Sequence, residues 1–464
     1  MEMPPEECGV FGIYGHDEAA VHTYLGLYAL QHRGQESAGI ISTTDGKKFC
    51  IHKKQGLVSE VFNKDVLAEL PGISAIGHVR YSTTGSSKSN AQPLFANYKN
   101  GSLAIAHNGN IINAYELKQE LEKKGAIFQT TMDSEILIHL IAQSEEKDIE
   151  KALINSLKRL EGSYSFLLFI NDMMIAVRDP RGIRPLCLGK IDKAYTVSSE
   201  SCAFDIINAK LIREVEPGEI IFFSKDGMKS IKPFEKVEKA TCVFEYIYYT
   251  RPDSVLDGKS VYEVRRKLGA QLAKEHPVEA DIVIPVPDSS NIAASGYAEE
   301  SGIPFGHGII RNHYIGRTFI EPHQHIRDFG AKIKYNPVKS VFNGKRLIVV
   351  DDSIVRGTTC AKIVKMLRKA GAKEVHFRIS SPPIICPCFY GIDTPDKKGL
   401  IAANNTIKGI AEKIDADTIG YLSLEGLKQV MDDMNDHCYA CFNGTYPCGQ
   451  PKHLFKKEIL EGKC

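Results

Sequence analysis

The sequence predicts two domains in tandem, an α+β domain followed by an α/β domain built on a parallel sheet. Three observations predict it. The chain has 464 residues, more than a single hydrophobic core usually serves. Up to about residue 232, short strand-like runs mix with helical ones. Beyond that point the pattern changes to strand, loop, helix, the alternation from which parallel sheets are made.

In the first half, residues 74–79, 103–106 and 165–170 read as strands from their apolar and β-branched runs. Asn113 and Glu116 have the spacing of a capping box before a helix that closes at Gly125. These pieces suggest a mixed sheet with helices. Residues 230–239 are charged, hold one proline and lack periodicity, which makes them the expected boundary between domains at 8–235 and 236–464. In the second half, a strand at 281–286 precedes a helix at 291–300, and a strand at 346–350 precedes a helix at 358–370.

Apolar residues at 43% and charged ones at 25% are ordinary globular composition, with ample material for buried cores. Because 58 Lys and Arg nearly balance 57 Asp and Glu, no global field recruits nucleic acid or an anionic membrane. The first seven residues are neither basic nor apolar, and no run of 18 apolar residues occurs, so a cytoplasmic protein is expected. Without a secretory signal, the twelve cysteines read as free thiols, a catalytic group or metal ligands rather than disulfides. Repeats, low-complexity tracts and coiled-coil heptads are absent.

The most informative segment runs from the apolar residues 347–350 through Asp351-Asp352-Ser353-Ile354-Val355-Arg356-Gly357-Thr358-Thr359 into an amphipathic helix. Ligands of open α/β sheets bind at the carboxyl ends of strands, where this acidic pair is expected. Adjacent carboxylates there can accept from two neighbouring sugar hydroxyls or meet a magnesium ion. Arg356, Gly357, Thr358 and Thr359 then offer backbone N–H groups, hydroxyls and a helix N-terminus to a phosphate. An isolated Asp-Asp more often just ends a strand, and the threonine just caps a helix. The combined pattern resembles the phosphoribosyl-diphosphate motif of type I phosphoribosyltransferases. That resemblance implies that residues 353–359 hold the 5-phosphate. An earlier loop, Pro287-Asp288-Ser289-Ser290, also follows a strand and opens a helix, which suits the diphosphate.

The first half carries an independent set of islands. Glu6-Glu7-Cys8-Gly9 leads into an apolar run; Gln31-His32-Arg33-Gly34, Gly77-His78-Val79-Arg80-Tyr81-Ser82-Thr83, Ala106-His107-Asn108-Gly109-Asn110 and Met132-Asp133-Ser134-Glu135 follow. Singly they have ordinary readings: Cys8 a core residue, Arg80 a surface ion pair, Asp133 a helix cap, Asn108-Gly109 a hairpin turn. Together they resemble the glutaminase domain of the N-terminal-nucleophile amidotransferases, a four-layer αββα sandwich. The resemblance implies removal of residues 1–7 as a propeptide, so that Cys8 gains an α-amine as its own base. It also implies an oxyanion hole from Asn108 and Gly109, with Arg33, Arg80 and Asp133 in the glutamine pocket.

With both halves considered, the chain resembles the amidophosphoribosyltransferases from Cys8 to about Cys448. Further matching phrases are Glu245-Tyr246-Ile247-Tyr248-Tyr249-Thr250-Arg251-Pro252-Asp253-Ser254 and Ser380-Ser381-Pro382-Pro383. The implied reaction transfers ammonia from glutamine to phosphoribosyl diphosphate in purine synthesis, with Mg2+ held near Ser289, Asp351 and Asp352. The resemblance further implies a homotetramer, feedback inhibition by purine nucleotides, and a lid at residues 311–336 in which Arg317 contacts the diphosphate or the other domain. Here the chain departs from many relatives, with Arg311-Asn312-His313 in place of Lys-Asn-Arg.

Cys438-Tyr439-Ala440-Cys441 is a C-x-x-C, with Cys242, Cys386, Cys388 and Cys448 as further thiols. Such spacing suits zinc, redox exchange or nothing. One branch of the family carries a [4Fe-4S] cluster, and its pattern falls on Cys242, Cys388, Cys438 and Cys441; Cys386 or Cys448 can substitute, and zinc stays open. Two other classes compete. A phosphoribosyl-diphosphate-sensing regulator would lack the Cys8 set, and a different amidotransferase would carry a sugar-isomerase repeat or an adenylating loop in its second half.

Overall fold

The computed structural model describes residues 8–80, 90–312, 335–392, 394, 396–432 and 436–452. The propeptide at 1–7, the Tyr81-Ser82-Thr83 end of one island, His313, Arg317, most of the expected lid and Cys464 lie outside the described residues.

Thirteen strands build the first half: β1 (Gly9–Tyr14), β2 (Ser37–Thr43), β3 (Phe49–Gln55), β4 (Ser74–Arg80), β5 (Leu94–Tyr98), β6 (Gly101–Ile111), β7 (Gly162–Ile170), β8 (Met173–Arg178), β9 (Cys187–Ile191), β10 (Ala194–Ser198), β11 (Lys210–Glu214), β12 (Ile220–Ser224) and β13 (Gly227–Ile231). They form a seven-stranded sheet, β11-β9-β10-β1-β4-β2-β3, and a six-stranded one, β13-β12-β8-β7-β6-β5. Every pairing in both is antiparallel, so the mixed sheet expected from the strand runs is corrected. Short runs joined by tight connections favour antiparallel neighbours, because parallel ones need a long crossover.

The side-chain alternation explains the layering. Val10, Ile41, Ile76, Ala104, Ala106, Leu167 and Phe169 fill the space between the two sheets. Their neighbours Phe11, Ile13, Ile40 and Ala75 point the other way, onto the helix Ala19–Ala29. On the far side, Leu103, Ile105, Phe166 and Leu168 pack against the helices Ala114–Lys123, Glu135–Gln143 and Ile149–Leu157. The result is the helix-sheet-sheet-helix sandwich. The capping box does not form: Asn113 sits at the N-cap, but its side chain donates to the Arg159 carbonyl and accepts from the Glu161 N–H.

Residues 232–240 carry no regular secondary structure. Beyond them lies a four-stranded sheet, Ile282–Pro285, Arg346–Asp351, Glu374–Ile379 and Thr418–Tyr421 in that order, all parallel. Val283, Ile348 and Val350 face the helices Val261–Glu275 and Asn291–Ser301. Ile284, Leu347 and Val349 face Thr358–Lys369 and Ile407–Ile414. Ile112 and Ile183 of the first half join the same buried cluster as Val243 and Tyr390, so apolar packing continues across the junction. No helix among the described residues is long and apolar enough to cross a membrane.

Candidate active sites

Cys8 stands just before β1, whose Gly9 pairs with Val79, so Cys8 and Arg80 lie at one end of the larger sheet. The smaller sheet reaches the same end through β6, because His78 Nε2 donates to the His107 carbonyl at 2.9 Å. Asn108 and Gly109 come next on β6, in register with Ser165 and Tyr164, so they belong to a strand rather than a turn. Asn108 is only 2% exposed, and its Nδ2 has no hydrogen-bond partner among the described residues. An unmet buried donor costs about 1–3 kcal/mol, which a ligand oxygen would recover. At Gly109, φ is +145° and an added Cβ would lie 2.2 Å from the Ser163 carbonyl oxygen, so only glycine fits.

Asp133 lies beside this strand, accepting from the Ile111 N–H at 2.8 Å with His107 Nδ1 at 3.4 Å. Burial opposes its charge, yet His107 and the N–H groups of Ile111 and Ser134 hold the carboxyl below its usual range. Arg80 is 2% exposed and reaches Glu36 Oε1 at 3.3 Å.

Arg33, expected to line the glutamine pocket, adjoins Cys8. Its Nε donates to the Cys8 carbonyl at 3.1 Å, and its Nη atoms bind Glu200 at 2.5 Å and Glu245 at 2.8 and 3.1 Å. Arg184 also reaches Glu245, at 3.3 Å. Burial alone would raise the Glu200 carboxyl, but His32 and Arg33 hold it well below the usual range. Sequence reasoning missed Glu200, Glu245 and Arg184 because their partners are 61 to 212 residues away. Only the matching phrase around Glu245 marked that neighbourhood.

At the second site, the strand Arg346–Asp351 delivers the acidic pair to the carboxyl edge of the parallel sheet. Ser290 donates to Asp351 at 3.1 Å; Ser289 and Ser353 donate to Asp352 at 2.5 and 2.7 Å. The two loops expected to share a ligand thus meet. Burial, and then Asp352, pushes the Asp351 carboxyl well up; burial also raises Asp352. Gly357, at φ +81°, turns the chain into the helix Thr358–Lys369, and an added Cβ would meet Ile401 Cδ1 at 2.7 Å. Thr359 Oγ1 is buried without a partner among the described residues. A cavity is lined by Ser289, Asp351, Asp352, Ser353, Arg356, Gly357 and Thr359, with Tyr248 and Tyr335. Asp288, also expected here, turns its carboxylate to Arg311 at 2.9 Å.

The cysteines converge at the seam between the halves. Thr241–Cys242 pairs in parallel with His437–Cys438, setting Cys242 opposite Cys438. Burial pushes the Cys441 thiol well up, and the nearness of Cys242, Cys438 and Cys388 pushes it further. Cys386 and Cys448 lie in the same neighbourhood: the Cys386 N–H donates to the Cys441 carbonyl at 3.1 Å, and Cys448 donates to the Gly162 carbonyl at 3.5 Å. Among the described residues, no three His, Cys, Asp or Glu side chains converge as the ligands of a single ion would.

Residues 78–205 match the family model of a glutamine amidotransferase domain. The amidophosphoribosyltransferase of Bacillus subtilis (strain 168) is 52% identical over 95% of this chain and 94% of its own length. That of Methanocaldococcus jannaschii is 50% identical, over 95% of this chain and 97% of its own. Among solved structures, one described as the allosteric regulatory enzyme of purine biosynthesis superposes with a TM-score of 0.93 at 50% identity, covering 98% of this chain and 99% of that one. The B. subtilis glutamine phosphoribosylpyrophosphate amidotransferase complexed with ADP and GMP gives 0.90 at 52% identity, covering 95% and 97%.

Proposed function

The chain belongs to the amidophosphoribosyltransferase family, and from that premise we propose how its two sites divide one reaction. The enzyme hydrolyses glutamine and transfers the ammonia to C1 of 5-phosphoribosyl 1-diphosphate, giving 5-phosphoribosylamine, glutamate and diphosphate, the first committed step of purine synthesis.

In the first half, removal of residues 1–7 gives Cys8 an α-amine, whose pKa of about 7.7–8.0 suits it to take the thiol proton near neutral pH. The thiolate attacks the glutamine amide. Asn108 Nδ2 and the Gly109 N–H stabilise the oxyanion; Arg80 and Asp133 bind the substrate's α-carboxylate and α-ammonium. Ammonia leaves, and water clears the thioester. Intact mass checks the premise: a chain retaining residues 1–7 should hydrolyse no glutamine.

In the second half, residues 353–359 hold the 5-phosphate and the 287–290 loop the diphosphate. Asp351 and Asp352 address the ribose hydroxyls or a metal. Two adjacent carboxylates, both raised by burial and Asp351 further raised by Asp352, fit a magnesium ion, with Asp351, Asp352 and Ser289 as its neighbours. When bound, magnesium neutralises charge on the departing diphosphate. The observation that carries the acceptor assignment is this acidic pair beside the unpartnered Thr359 hydroxyl at the turn into a helix. An assay of glutamine hydrolysis with and without phosphoribosyl diphosphate tests it. Ammonia release should rise with the sugar and match diphosphate formed; an indifferent glutaminase defeats the reading.

For the thiols, the reading is a [4Fe-4S] cluster on Cys242, Cys388, Cys438 and Cys441, in a structural or oxygen-sensing role. Its support is that Cys242 pairs opposite Cys438 and that Cys242, Cys438 and Cys388 all lie near enough to Cys441 to raise its thiol. Anaerobically purified protein should contain inorganic sulfide and a visible charge-transfer band; colourless, sulfide-free protein sinks the idea. Purine nucleotides are the expected inhibitors, supported by the related structure that holds ADP and GMP.

A further inference from the structure

We propose that the turn at residues 389–391, contributed by the second half, is a positioning element for the oxyanion hole of the first. The inference rests on the assignment of Asn108 and Gly109 just made and goes beyond it. Three contacts seat the turn on the strand that carries them. Asn110 Nδ2 donates to the Phe389 carbonyl at 2.9 Å. Ser163 Oγ donates to the Tyr390 carbonyl at 2.8 Å while accepting from the Asn110 N–H at 3.3 Å, so one fully buried hydroxyl bridges turn and strand. Gly391, at φ +111°, lies so close that an added Cβ would stand 3.3 Å from both the Cα and the carbonyl carbon of Gly109.

The turn is itself anchored. Arg184 Nε donates to the Tyr390 carbonyl at 2.8 Å. On the other side, the Tyr390 hydroxyl donates to the Gly449 carbonyl at 2.7 Å and accepts from the Cys448 N–H at 2.9 Å. Gly109 is therefore packed between the backbone of its neighbour β7 and a turn from the other half. An oxyanion donor helps only if its N–H already points where negative charge will develop, and a misplacement of about 1 Å can cost 10²-fold. Residues 389–391 act through Gly109 and Asn110 without touching glutamine.

The test compares Gly391→Ala and Ser163→Ala in the full chain, each assayed with glutamine and separately with ammonia as nitrogen source. Oxyanion stabilisation belongs to the transition state, so kcat with glutamine should fall about tenfold or more while KM for glutamine stays within about threefold. Ammonia-dependent synthesis, which bypasses the first site, should stay within about twofold. Glutamine-dependent kcat unchanged in both variants, or an equal loss with both nitrogen sources, overturns the proposal. If Gly391→Ala fails to fold, Ser163→Ala decides, since it removes an oxygen without adding bulk. Asn108→Ala separates the two layers of argument. If it abolishes glutamine use while both turn variants keep it, the positioning role fails alone; if it changes nothing, the oxyanion assignment fails first.

Discussion

His78 lies between the two sheets without exposure, with Nε2 tied to the His107 carbonyl and Nδ1 unpartnered among the described residues. Burial drives its pKa from 6.5 down to about 3, assisted by the charges of Arg80, His107 and Lys53 and opposed by its hydrogen bond. The imidazole is thus neutral in the fold and takes a proton below 6.5 once unfolded. Its stabilising contribution is complete above pH 6.5 and is lost as pH falls towards 3, because the unfolded chain then binds more protons. At about pH 5 the loss should be on the order of 2 kcal/mol. His78 fixes the height of β6 against β4, and because it stays neutral in the fold at that pH, the strand that carries Asn108 keeps this tie while global stability falls. His78→Gln keeps an N–H donor but cannot charge, so it should lose about 2 kcal/mol less than the natural chain between about pH 7.5 and pH 5 in denaturant unfolding. Equal losses would exclude His78 as the source.

Among the elements, the loop from Asp351 to Thr359 trades stability for function. Asp351 has its carboxyl raised by burial and then by Asp352, so its charge in the ligand-free fold is unfavourable. For a carboxylate with a raised folded pKa, that penalty appears as pH climbs past the unfolded value of 3.8 and is absent below it. Asp351→Asn should therefore stabilise the free protein by about 1–2 kcal/mol at pH 8, with no gain near pH 3.5, while lowering kcat/KM for phosphoribosyl diphosphate at least about 100-fold. Thermal melts at the two pH values and one kinetic series check both halves of the statement; destabilisation at pH 8 would contradict it. This loop was legible in the sequence because strand, acids, glycine and helix follow one another within thirteen residues. The expected strand at 346–350 and helix at 358–370 appear as Arg346–Asp351 and Thr358–Lys369. Less legible were features set by tertiary partners. The side chain of Asn113 looked like a cap, but the backbone of residues 159–161 claims it. The two buried carboxylates that fix Arg33 beside Cys8 lie too far along the chain to be read from local spacing.

At the scale of the whole molecule, Glu245 holds the halves together. It is fully buried at the start of the π-helical turn Glu245–Tyr249 in the second half, yet its carboxylate binds Arg33 and Arg184 of the first, besides the Thr250 hydroxyl at 2.7 Å. Arg33 carries the connection to the Cys8 carbonyl. On the opposite side, Arg265 donates to the carbonyls of Tyr246, Tyr248 and Thr250, and Asp352 leads the charges acting on it. Hydrogen bonds therefore run from Arg265 through the π-helical turn, Glu245 and Arg33 to the Cys8 carbonyl, with Asp352 acting on Arg265 through its charge. Glu245→Ala would leave buried guanidinium groups short of a partner, a change worth about 3–5 kcal/mol. It should lower the denaturant midpoint and split unfolding into separate steps for the two halves. With glutamine as donor, stimulation of ammonia release by phosphoribosyl diphosphate should collapse, whereas synthesis from added ammonia should persist wherever the second half remains folded. If stimulation survives in a variant that has lost this stability, Glu245 fastens the halves without linking their sites.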